Sequence, residues 1–580
     1  MSDWRDVYCG ELRAGDEGRR LSVAGWAARR RDHGGLVFID LRDHTGIVQL
    51  VINPEHAADA AVTAHEIRNE FVLRARGELV KRAPAAVNPN IPTGEVELQV
   101  EELEIVSRSE PLPFQLDEEG VEETLRLRYR YLDLRRVPMQ RNLRLSATVI
   151  AAIRRSMEQR GFIDIWTPSM TLGTPEGARD FLVPVRLQPG KFFALAQSPQ
   201  LFKQLFMVAG LDRYYQIATC WRDEDLRADR QFEFRQLDLE LAFPTREEVL
   251  EVLEQVVVAS FDALGRTPPE RPFARLGYAD AMLSYGTDKP DVRFALEIQD
   301  ATEITRASEF GVFAGAEVVR FVVAPRAFSR AELARLEEFA KEWGAKGLAY
   351  LVFDDSGEVR SPIAKFLSER ELAEFAAPPG STVLFAADTA AMAGRVLGAL
   401  RLELGRELEL VDQSRDAFLW VLDFPLFQHD EDTGQWTFVH HPFTGPIEGH
   451  EQLIDTDPAG ALSQHYDLIW NGWELGSGSI RIHRTDVQQR IFRAMGMSEE
   501  EANAKFGWFL EALQMGAPPH GGFALGIDRF LALLAGESNI REVIPFPKTA
   551  SGSDPLTGAP APTTQERLDE LGIQLKAQPR

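Results

Sequence analysis

The sequence predicts a chain of mixed α and β structure, of the α+β type, that folds into several domains. With 580 residues the chain is too long for one hydrophobic core, so three or four domains are expected. Residues up to about Ser107 alternate apolar and polar side chains in short runs separated by turn signals, which is typical of a small β-barrel. Long amphipathic helices and further strand patterns follow, so a second region of mixed structure is expected after the barrel.

Composition narrows the class of protein. No apolar run approaches the ~20 residues that a membrane span needs, and the first residues lack the basic and then apolar pattern of a secretory signal. The two cysteines, Cys9 and Cys220, are too few for a disulfide framework or a zinc site. A net charge of −25 argues against a protein that coats nucleic acid, although a local basic patch can still bind RNA. These features favour a cytoplasmic enzyme.

The predicted barrel combines five strands with one helix. Alternation is clear in Leu21–Trp26, Leu36–Leu41, Gly46–Val51 and Glu95–Val100, and a helix is expected over Ala57–Asn69. This content is that of an OB barrel, a fold often used on single-stranded nucleic acid.

The region after the barrel begins with a proline-bearing linker, Ser109–Pro113. A basic, helix-like stretch at Arg126–Arg136 leads into a long amphipathic helix over Gln140–Arg160. Phe162–Pro168 is then expected to be a strand that the proline ends.

Strands and helices alternate from about Tyr285 to Leu410, as in Val318–Val323 and Ala331–Trp343. This stretch lacks the clustered charges found on either side of it, which indicates an inserted α/β domain. Strand character resumes at Leu419–Phe424, and the Pro-, Gly- and Ser-rich stretch from Thr549 predicts an extended tail.

The most informative segment, Cys220–Glu240, begins and ends with strand character and is charged in between. The charged part contains Arg222, Arg227 and Arg230 among four acids. Far downstream, His520–Phe530 places Arg529 at a Gly-rich strand-to-helix junction. Two arginines from distant parts of a chain suit a polyphosphate held at both ends, because a guanidinium is always charged and donates in pairs.

These two segments resemble motifs 2 and 3 of the class II aminoacyl-tRNA synthetases, and the surrounding sequence is similar to the bacterial aspartyl enzymes of that class. The helix and strand before Pro168 resemble motif 1, which implies a homodimer. The resemblance implies an antiparallel-sheet catalytic domain and ATP-dependent ligation of L-aspartate to tRNA(Asp) through an aspartyl-adenylate. The implied division is a barrel at 1–107 that binds the anticodon, a hinge at 108–138, catalytic parts at 139–284 and 415–548, an insertion at 285–414 and a tail at 549–580.

The resemblance also implies how ATP is held. Arg222 is expected at the α-phosphate, where charge grows during the reaction, and Arg529 at the γ-phosphate. Phe234 is expected to stack on adenine. Asp467 and Glu474 are expected to bind Mg²⁺, which prefers oxygen ligands. The full set of implied ATP contacts is Arg222, Asp223, Glu224, Gln231, Phe234, Glu474, Gly526, Ile527, Asp528 and Arg529.

Specificity for aspartate requires cations that face its side-chain carboxylate, and the resemblance assigns this role to Lys203 and Arg481. Asparagine would leave both cations unpaired, at a cost of several kcal/mol by order of magnitude. His440 matches a mobile substrate contact, and its alternative is a histidine at the solvent edge. The remaining implied aspartate contacts are Glu176, Gln200, Arg222 and Asp238.

The expected tRNA contacts lie in the barrel. Arg31 ends a run of three arginines that could hold phosphates, Phe38 could stack on a base, and Gln49 could read the central uridine of the anticodon. The alternative for Phe38 is a place in the barrel core. His33 accompanies enzymes that also charge tRNA(Asn), so strictness toward tRNA(Asp) stays open.

The sequence departs from the family pattern at Phe232, Arg235 and Ser477, which leaves contacts near adenine open. The alternatives are a relaxed enzyme that also charges tRNA(Asn), an asparaginyl-type or amidating relative, and an RNA-binding paralogue without catalysis. Lys203, Arg481 and the insertion favour aspartate. A paralogue that has lost catalysis would be expected to lack an arginine of motif 2 or 3, and both are present.

Overall fold

The computed structural model of the chain describes residues 4–173, 178–430 and 434–576. The chain divides into two compact units, each made of two stretches of sequence. The first unit consists of Met1–Asn142 and Asp554–Ala559, and the second of Leu143–Ser553 and Pro560–Arg580. None of the helices in the described ranges has the length and apolar character needed to cross a membrane. The domain boundaries given above stay predictions.

The first unit contains a closed five-stranded barrel with one helix, as the alternation predicts. Its elements are β1 (Arg20–His33), β2 (Leu36–Arg42), β3 (Ile47–Ile52), α1 (Ala58–Glu66), β4 (Val72–Lys81) and β5 (Val96–Ser107). The order around the barrel is β1–β2–β3–β5–β4, with β3 and β5 parallel. Alternate residues fill the core, among them Leu21, Val23 and Ile39.

Three helices follow the barrel. They are α2 (Glu123–Arg128), α3 (Arg130–Asp133) and α4 (Val137–Gln159). The predicted basic stretch is thus two short helices, and the predicted long helix is present. Asp133 is buried and accepts hydrogen bonds from Arg126 Nε at 2.9 Å and Arg130 Nη1 at 2.5 Å. Burial acts to raise the pKa of Asp133, but these arginines outweigh it and lower the pKa.

The second unit is built on an eight-stranded sheet that is mostly antiparallel, and its elements come from both sides of an insertion. Before the insertion lie β6 (Ile163–Asp164), β7 (Met170–Thr171), β8 (Leu182–Pro184), β9 (Phe192–Leu195), α5 (Gln200–Val208), β10 (Arg213–Trp221), β11 (Glu233–Ala242), α6 (Arg246–Ala263), β12 (Ala274–Gly277) and α7 (Tyr278–Tyr285). The predicted strand at 162–168 is shorter than expected, because only two of its residues pair with β10.

The insertion is a separate five-stranded antiparallel sheet with helices. Its elements are β13 (Gln299–Asp300), α8 (Thr302–Thr305), α9 (Gly311–Ala314), β14 (Val318–Ala324), α10 (Arg330–Glu342), β15 (Ala349–Phe353), β16 (Val359–Arg360), α11 (Glu369–Glu374), β17 (Ser381–Asp388) and α12 (Ala390–Glu407). The strands lie in the order β13–β14–β17–β15–β16. Leu336 of α10 and Leu400 of α12 are buried in one core with Val322 of the sheet.

After the insertion the chain returns to the large sheet. The remaining elements are β18 (Phe418–Leu422), β19 (Phe427–Asp430), β20 (Gln435–Phe438), α13 (Leu453–Thr456), β21 (His465–Trp470), β22 (Trp473–Ile480), α14 (Thr485–Ala494), α15 (Glu499–Leu513), β23 (His520–Gly526), α16 (Ile527–Ala535) and α17 (Gln565–Leu571). The large sheet has the order β12–β18–β21–β22–β23–β11–β10–β6. One face of it packs against α6 and α16 in the main hydrophobic core, as Leu237, Leu253 and Phe530 illustrate.

Close strand packing explains the glycines of β22 and β23. A Cβ added to Gly476 would lie 2.1 Å from the carbonyl oxygen of Ala524, which is closer than any real contact. A Cβ added to Gly522 would lie 2.0 Å from Oε2 of Glu240. The Gly-rich run therefore lets β23 lie directly against the acidic residues of β11.

Candidate active site and barrel face

The centre of the large sheet carries a buried cluster of four charges. Asp238 and Glu240 alternate along β11, so both project from the same face of the sheet. Lys203 comes from α5, and its Nζ lies 3.0 Å from Asp238 Oδ1 and 3.4 Å from Glu240 Oε2. Arg481 follows β22 directly, and its Nε donates to Glu240 Oε1 at 2.9 Å. All four side chains are at most a few per cent exposed.

The two acids of this cluster respond differently to burial. Burial raises the pKa of Asp238, even though Lys203 lies beside it. Burial also acts to raise the pKa of Glu240, but Arg481 and Lys203 outweigh it, so the pKa of Glu240 is lowered. Glu240 is therefore the ionised partner of the two cations. The carboxyl group of Asp238 can still pair with a further cation.

Buried polar atoms on β11, at the start of α5 and just after β10 have no hydrogen-bond partner within the described ranges. They are Asp238 Oδ2, Gln200 Nε2 and Arg222 Nε. A buried polar group without a partner costs roughly 1–3 kcal/mol, so native proteins keep few of them. Such unpaired atoms indicate places prepared for polar ligands.

A cavity of about 540 Å³ is lined by residues of the same strands β11, β22 and β23. Of the predicted ATP contacts, those that line it are Arg222, Glu224, Gln231, Phe234, Glu474, Gly526, Asp528 and Arg529. The Arg222 guanidinium carbon lies 5.1 Å from the centre of the Phe234 ring. The structure therefore brings the two distant arginine segments together around one space.

Arg529 is held from two sides. Its Nη1 donates to the carbonyl oxygen of Glu474 at 3.1 Å, and its Nη2 lies 3.2 Å from Asp229 Oδ2. Because Arg529 lies in the first turn of α16 while Glu474 lies in β22, these contacts fix the guanidinium in the lining of the cavity.

Two predicted ATP residues are placed differently. The side chain of Ile527 is fully buried in the main hydrophobic core, because it opens α16 on the face that packs against the sheet. Asp223 is not among the residues that line the cavity; its backbone N–H donates to Arg179 at 3.1 Å. Glu176 falls outside the described residues.

The departures from the family pattern have visible partners. Arg235 binds Asp528 through Nε at 3.0 Å and Nη2 at 2.6 Å. Phe232 packs edge-on against Phe181, with ring centres 5.3 Å apart. Ser477 lines the cavity. Arg235 thus steadies the first turn of α16, the turn that contains Arg529.

Asp467 and Glu474 lie on the paired strands β21 and β22. Burial raises the pKa of both carboxyl groups, and Asp467 adds to the effect on Glu474. Asp467 is buried and Glu474 is partly exposed. Two like charges close together favour a bound cation, and two carboxylates are suitable ligands for Mg²⁺. The donor set therefore fits this ion.

His440 belongs to a histidine cluster beside Asp467. Its ring stacks on His465 with centres 3.3 Å apart, and it contacts Phe424 edge-on. Burial, followed by the neighbouring His465, lowers the pKa of His440 to about 2. His465 Nε2 lies 2.8 Å from Asp467 Oδ1. His440 is half-buried, and its lowered pKa keeps it neutral at pH 7.

Several residues near the cluster and the cavity were not identified from the sequence, among them Glu240, His441 and Lys289. Glu240 could have been found, because it follows Asp238 at the spacing of one strand face. His441 contacts Arg481 Nη1 at 2.9 Å. Lys289 lines the cavity although it belongs to the stretch assigned to the insertion, and no local pattern marks it.

The predicted tRNA contacts share one outer face of the barrel. Phe38 lies on β2 between the core residues Val37 and Ile39, so its half-buried ring points away from the core. Arg31 pairs with Phe38 in register, and its Nη2 donates to Asp40 at 2.9 Å.

Asp40 is opposite Gln49, which is half-buried on β3. His33 is exposed where β1 turns into β2. The barrel thus presents Arg31, Phe38 and Gln49 side by side.

Known proteins were compared with this chain. The family described as "tRNA synthetases class II (D, K and N)" matches residues 122–550, and the OB-fold nucleic acid binding domain matches residues 21–106. The aspartate–tRNA ligase of Geobacillus kaustophilus is 48% identical over 98% of both chains. The aspartate–tRNA(Asp/Asn) ligase of Moorella thermoacetica is 49% identical over 99% of this chain and 97% of its own length.

Solved structures agree with the fold. Asparaginyl-tRNA synthetase from Pyrococcus horikoshii, complexed with asparaginyl-adenylate, aligns with a TM-score of 0.60 at 18% identity over 94% of this chain and 98% of its own. The enzyme from Entamoeba histolytica aligns with a TM-score of 0.59 over the same shares of the two chains. Because matches of both kinds extend over nearly the whole sequence, the chain belongs to the class II tRNA synthetases and, within them, to the bacterial aspartate–tRNA ligase family.

Proposed function

We propose that this chain joins L-aspartate to tRNA(Asp) in two steps, through an aspartyl-adenylate made with ATP. The observation that carries the proposal is the buried pair of cations, Lys203 and Arg481, which contact the acids of β11, a strand that also lines the cavity of about 540 Å³. Two buried cations with spare donors suit a ligand that brings a carboxylate.

The preference for aspartate over asparagine follows from the N–H donor of Arg481 that no described residue uses. Arg481 has five N–H groups, and four contacts use them, two to Glu240, one to Ser479 and one to His441. One N–H on Nη2 is left over within the described residues, and both Nη2 and Lys203 Nζ contact Glu240 Oε2. An aspartate carboxylate can accept from both groups, whereas the NH₂ of asparagine would face cations.

The other end of the amino acid is an ammonium group, which needs acceptors. Asp238 Oδ2 is buried without a hydrogen-bond partner among the described residues and suits this role. Gln200 lies buried at the start of α5, one turn before Lys203, and supplies a second polar group. Glu176 and His440 are proposed as further aspartate contacts, as the family resemblance implies.

ATP is proposed to occupy the large cavity, with adenine against Phe234 and close to Glu224 and Gln231. In this arrangement Arg222 binds the α-phosphate and Arg529 binds the γ-phosphate. A carboxylate oxygen of aspartate attacks the α-phosphorus, the bond to pyrophosphate breaks, and aspartyl-adenylate forms. Arg222 stabilises the negative charge that grows on the α-phosphate, which is the kind of contact that contributes most to rate.

Asp467 and Glu474 are proposed to hold Mg²⁺ beside the triphosphate. When bound, the ion neutralises phosphate charge. His465 lies within hydrogen-bond distance of Asp467 and orients its carboxylate.

Transfer of aspartate requires that the barrel recognise the tRNA. Phe38 offers a ring for a base, Arg31 a phosphate contact and Gln49 a base-edge contact. A homodimer, a cytoplasmic location and the division into barrel, hinge, catalytic and inserted domains complete the proposal.

Aspartate-dependent exchange between ATP and pyrophosphate tests the first step. Aspartate should support exchange far better than asparagine at equal concentration, and the purified chain should charge a tRNA(Asp) transcript. Equal exchange with asparagine would contradict the assignment of Lys203 and Arg481. No exchange with either amino acid would favour a non-catalytic RNA-binding protein.

A second candidate function is relaxed charging of tRNA(Asn) with aspartate. Relatives from Moorella thermoacetica and Symbiobacterium thermophilum, each 49% identical, are named aspartate–tRNA(Asp/Asn) ligases. The exposed His33 supports the same specificity here. Charging of a tRNA(Asn) transcript with aspartate would test it directly.

A further inference from the structure

Lys289 brings a cation to the cavity from outside the two arginine segments, which supply Arg222, Arg230, Arg235 and Arg529. It lines the cavity together with Arg222, Glu474 and Arg529. It lies in the loop that joins α7 to β13, four residues after α7 ends at Tyr285. The insertion therefore contributes a charged side chain to the place proposed for ATP.

Lys289 makes no hydrogen bond to another charged group among the described residues. Its Nζ lies 3.9 Å from Glu474 Oε2, which is beyond hydrogen-bond distance, and its side chain is 51% exposed. An ion pair of this kind contributes little to stability. Within the described parts of the chain no hydrogen bond to its ammonium group is found, so the group can turn toward a ligand.

The backbone that carries Lys289 is nevertheless fixed. The loop begins at Gly286, whose φ is +68° and where an added Cβ would lie 2.0 Å from the carbonyl oxygen of Gly394 in α12. The backbone N–H of Lys289 donates to Thr287 Oγ1 at 3.3 Å. Direct contact with α12 therefore sets where the loop starts.

Arg401 of α12 holds the other end of the loop. Its Nη2 donates to the carbonyl oxygens of Asp291 at 2.7 Å and Phe294 at 3.0 Å, and its Nε donates to Leu296 at 3.1 Å. Only 1% of Arg401 is exposed. Burying a guanidinium is costly unless its donors are used, and here they bind the backbone of the Lys289 loop.

The same loop touches the hairpin that carries the acidic pair. A Cβ added to Gly472, at the turn between β21 and β22, would lie 3.2 Å from Cβ of Asp291. Loop and hairpin are thus packed together, with Lys289 on one and Glu474 on the other. The position of Lys289 relative to the acids follows from this packing.

We propose that Lys289 binds the β- and γ-phosphates of ATP, and the pyrophosphate that leaves, and that Arg401 is the positioning residue that holds its loop. The proposal rests on the proposed function of the cavity as the ATP site. Arg222 and Arg529 serve the α- and γ-phosphates, and an ammonium group acts as a point charge for phosphate oxygens between them. The insertion thereby contributes to nucleotide binding.

Equilibrium binding of MgATP and of AMP to the full-length chain tests the contact. Lys289→Ala should weaken MgATP binding by about tenfold to a hundredfold, the usual effect of losing a charge-assisted hydrogen bond, and leave AMP binding unchanged. Lys289→Arg should restore most of the loss. Lys346→Ala is the matched control, because Lys346 is an 88% exposed lysine of the insertion that pairs with Asp388.

Another role for Lys289 gives a different result. If Lys289 only balances the charge of Glu474, Lys289→Ala should tighten Mg²⁺ binding and leave the ratio of ATP to AMP affinity unchanged. That outcome overturns the proposal, as does an equal loss of ATP and AMP binding. Failure of the unaltered chain to bind ATP would instead count against the cavity as the ATP site.

The positioning role of Arg401 needs a double variant. Arg401→Lys keeps the charge but cannot serve three carbonyl groups in the same geometry, so ATP binding should weaken while AMP binding does not. In the Lys289→Ala background the same change should have no further effect on ATP binding, because the lysine it positions is gone. Additive losses would show that Arg401 does not act through Lys289. Thermal unfolding of each variant checks that the fold is kept.

Discussion

Glu240 and Arg481, which lie 241 residues apart in the sequence, form a buried ion pair with two hydrogen bonds. Arg481 Nε donates to Oε1 at 2.9 Å and Nη2 donates to Oε2 at 3.2 Å. Lys203 Nζ lies 3.4 Å from the same carboxylate. One acid thus orients both cations proposed to bind aspartate, and Gly522 leaves the room that its carboxylate needs.

Glu240→Gln should lower the stability of the free protein, because two buried cations then share one fewer carboxylate. Removing one partner of a buried ion pair costs about 3–5 kcal/mol, and glutamine should cost up to that amount. Saturating aspartate supplies a carboxylate, so it should raise the unfolding temperature of the variant more than that of the unaltered protein.

Thermal unfolding with and without aspartate measures both effects. The exposed Glu342→Gln is the control, and it should behave like the unaltered protein. If Glu240→Gln unfolds at the unaltered temperature, Glu240 is not the counter-charge of this cluster.

Arg222→Ala should slow aspartyl-adenylate formation by roughly 10²-fold or more, because the guanidinium is assigned to charge that develops at the α-phosphate. The fold should persist, since Arg222 Nε makes no hydrogen bond to a described residue. Aspartate-dependent ATP–pyrophosphate exchange measures the rate, with the exposed Arg266→Ala as control. A folded variant that activates aspartate at the unaltered rate would refute the assignment.

Gln49→Ala should weaken charging of tRNA(Asp) while aspartyl-adenylate forms as before. The residue lies on the outer face of the barrel, which is assigned to RNA alone. Parallel charging and exchange assays test this division, and the exposed Asp59→Ala on α1 controls for general effects on the barrel. Equal losses in both assays would show that the barrel does more than bind tRNA.

His33→Leu should raise the ratio of tRNA(Asp) to tRNA(Asn) charging. The two tRNAs share the central uridine and differ at the third anticodon base, so discrimination rests on few atoms. A base contact is worth about 1–3 kcal/mol by analogy with DNA readout, which is enough to change selectivity tenfold or more. His33 is exposed beside Gly34 and Gly35, where its ring can donate or accept.

Charging of the two tRNA transcripts at equal concentration gives the ratio. His56→Leu, which replaces another exposed histidine of the barrel, should leave the ratio unchanged. An unchanged ratio for His33→Leu, or no detectable charging of tRNA(Asn) by the unaltered chain, would exclude a role for His33.

The sequence alone determined the fold class, the barrel and the two arginine segments. These features depend on local patterns. Alternation predicts β1, β2 and β3 because successive side chains of a strand point to opposite faces, and the Gly-rich run before Arg529 marks a junction that needs close backbone packing. Resemblance to a family could then supply Lys203, Arg481 and Asp238, since these positions lie inside long matching segments.

The tertiary structure alone decided which side chains meet and which way they face. Phe38 lies outside the barrel core because the register of β2 buries Val37 and Ile39, and a shift of one residue would have reversed the faces. Ile527 belongs to the main core, although its neighbours line the cavity. Lys289 lines the cavity from a loop that Arg401 contacts and that packs against the hairpin at Gly472. Such contacts join residues far apart in sequence, so they depend on packing between elements and leave no local pattern to read.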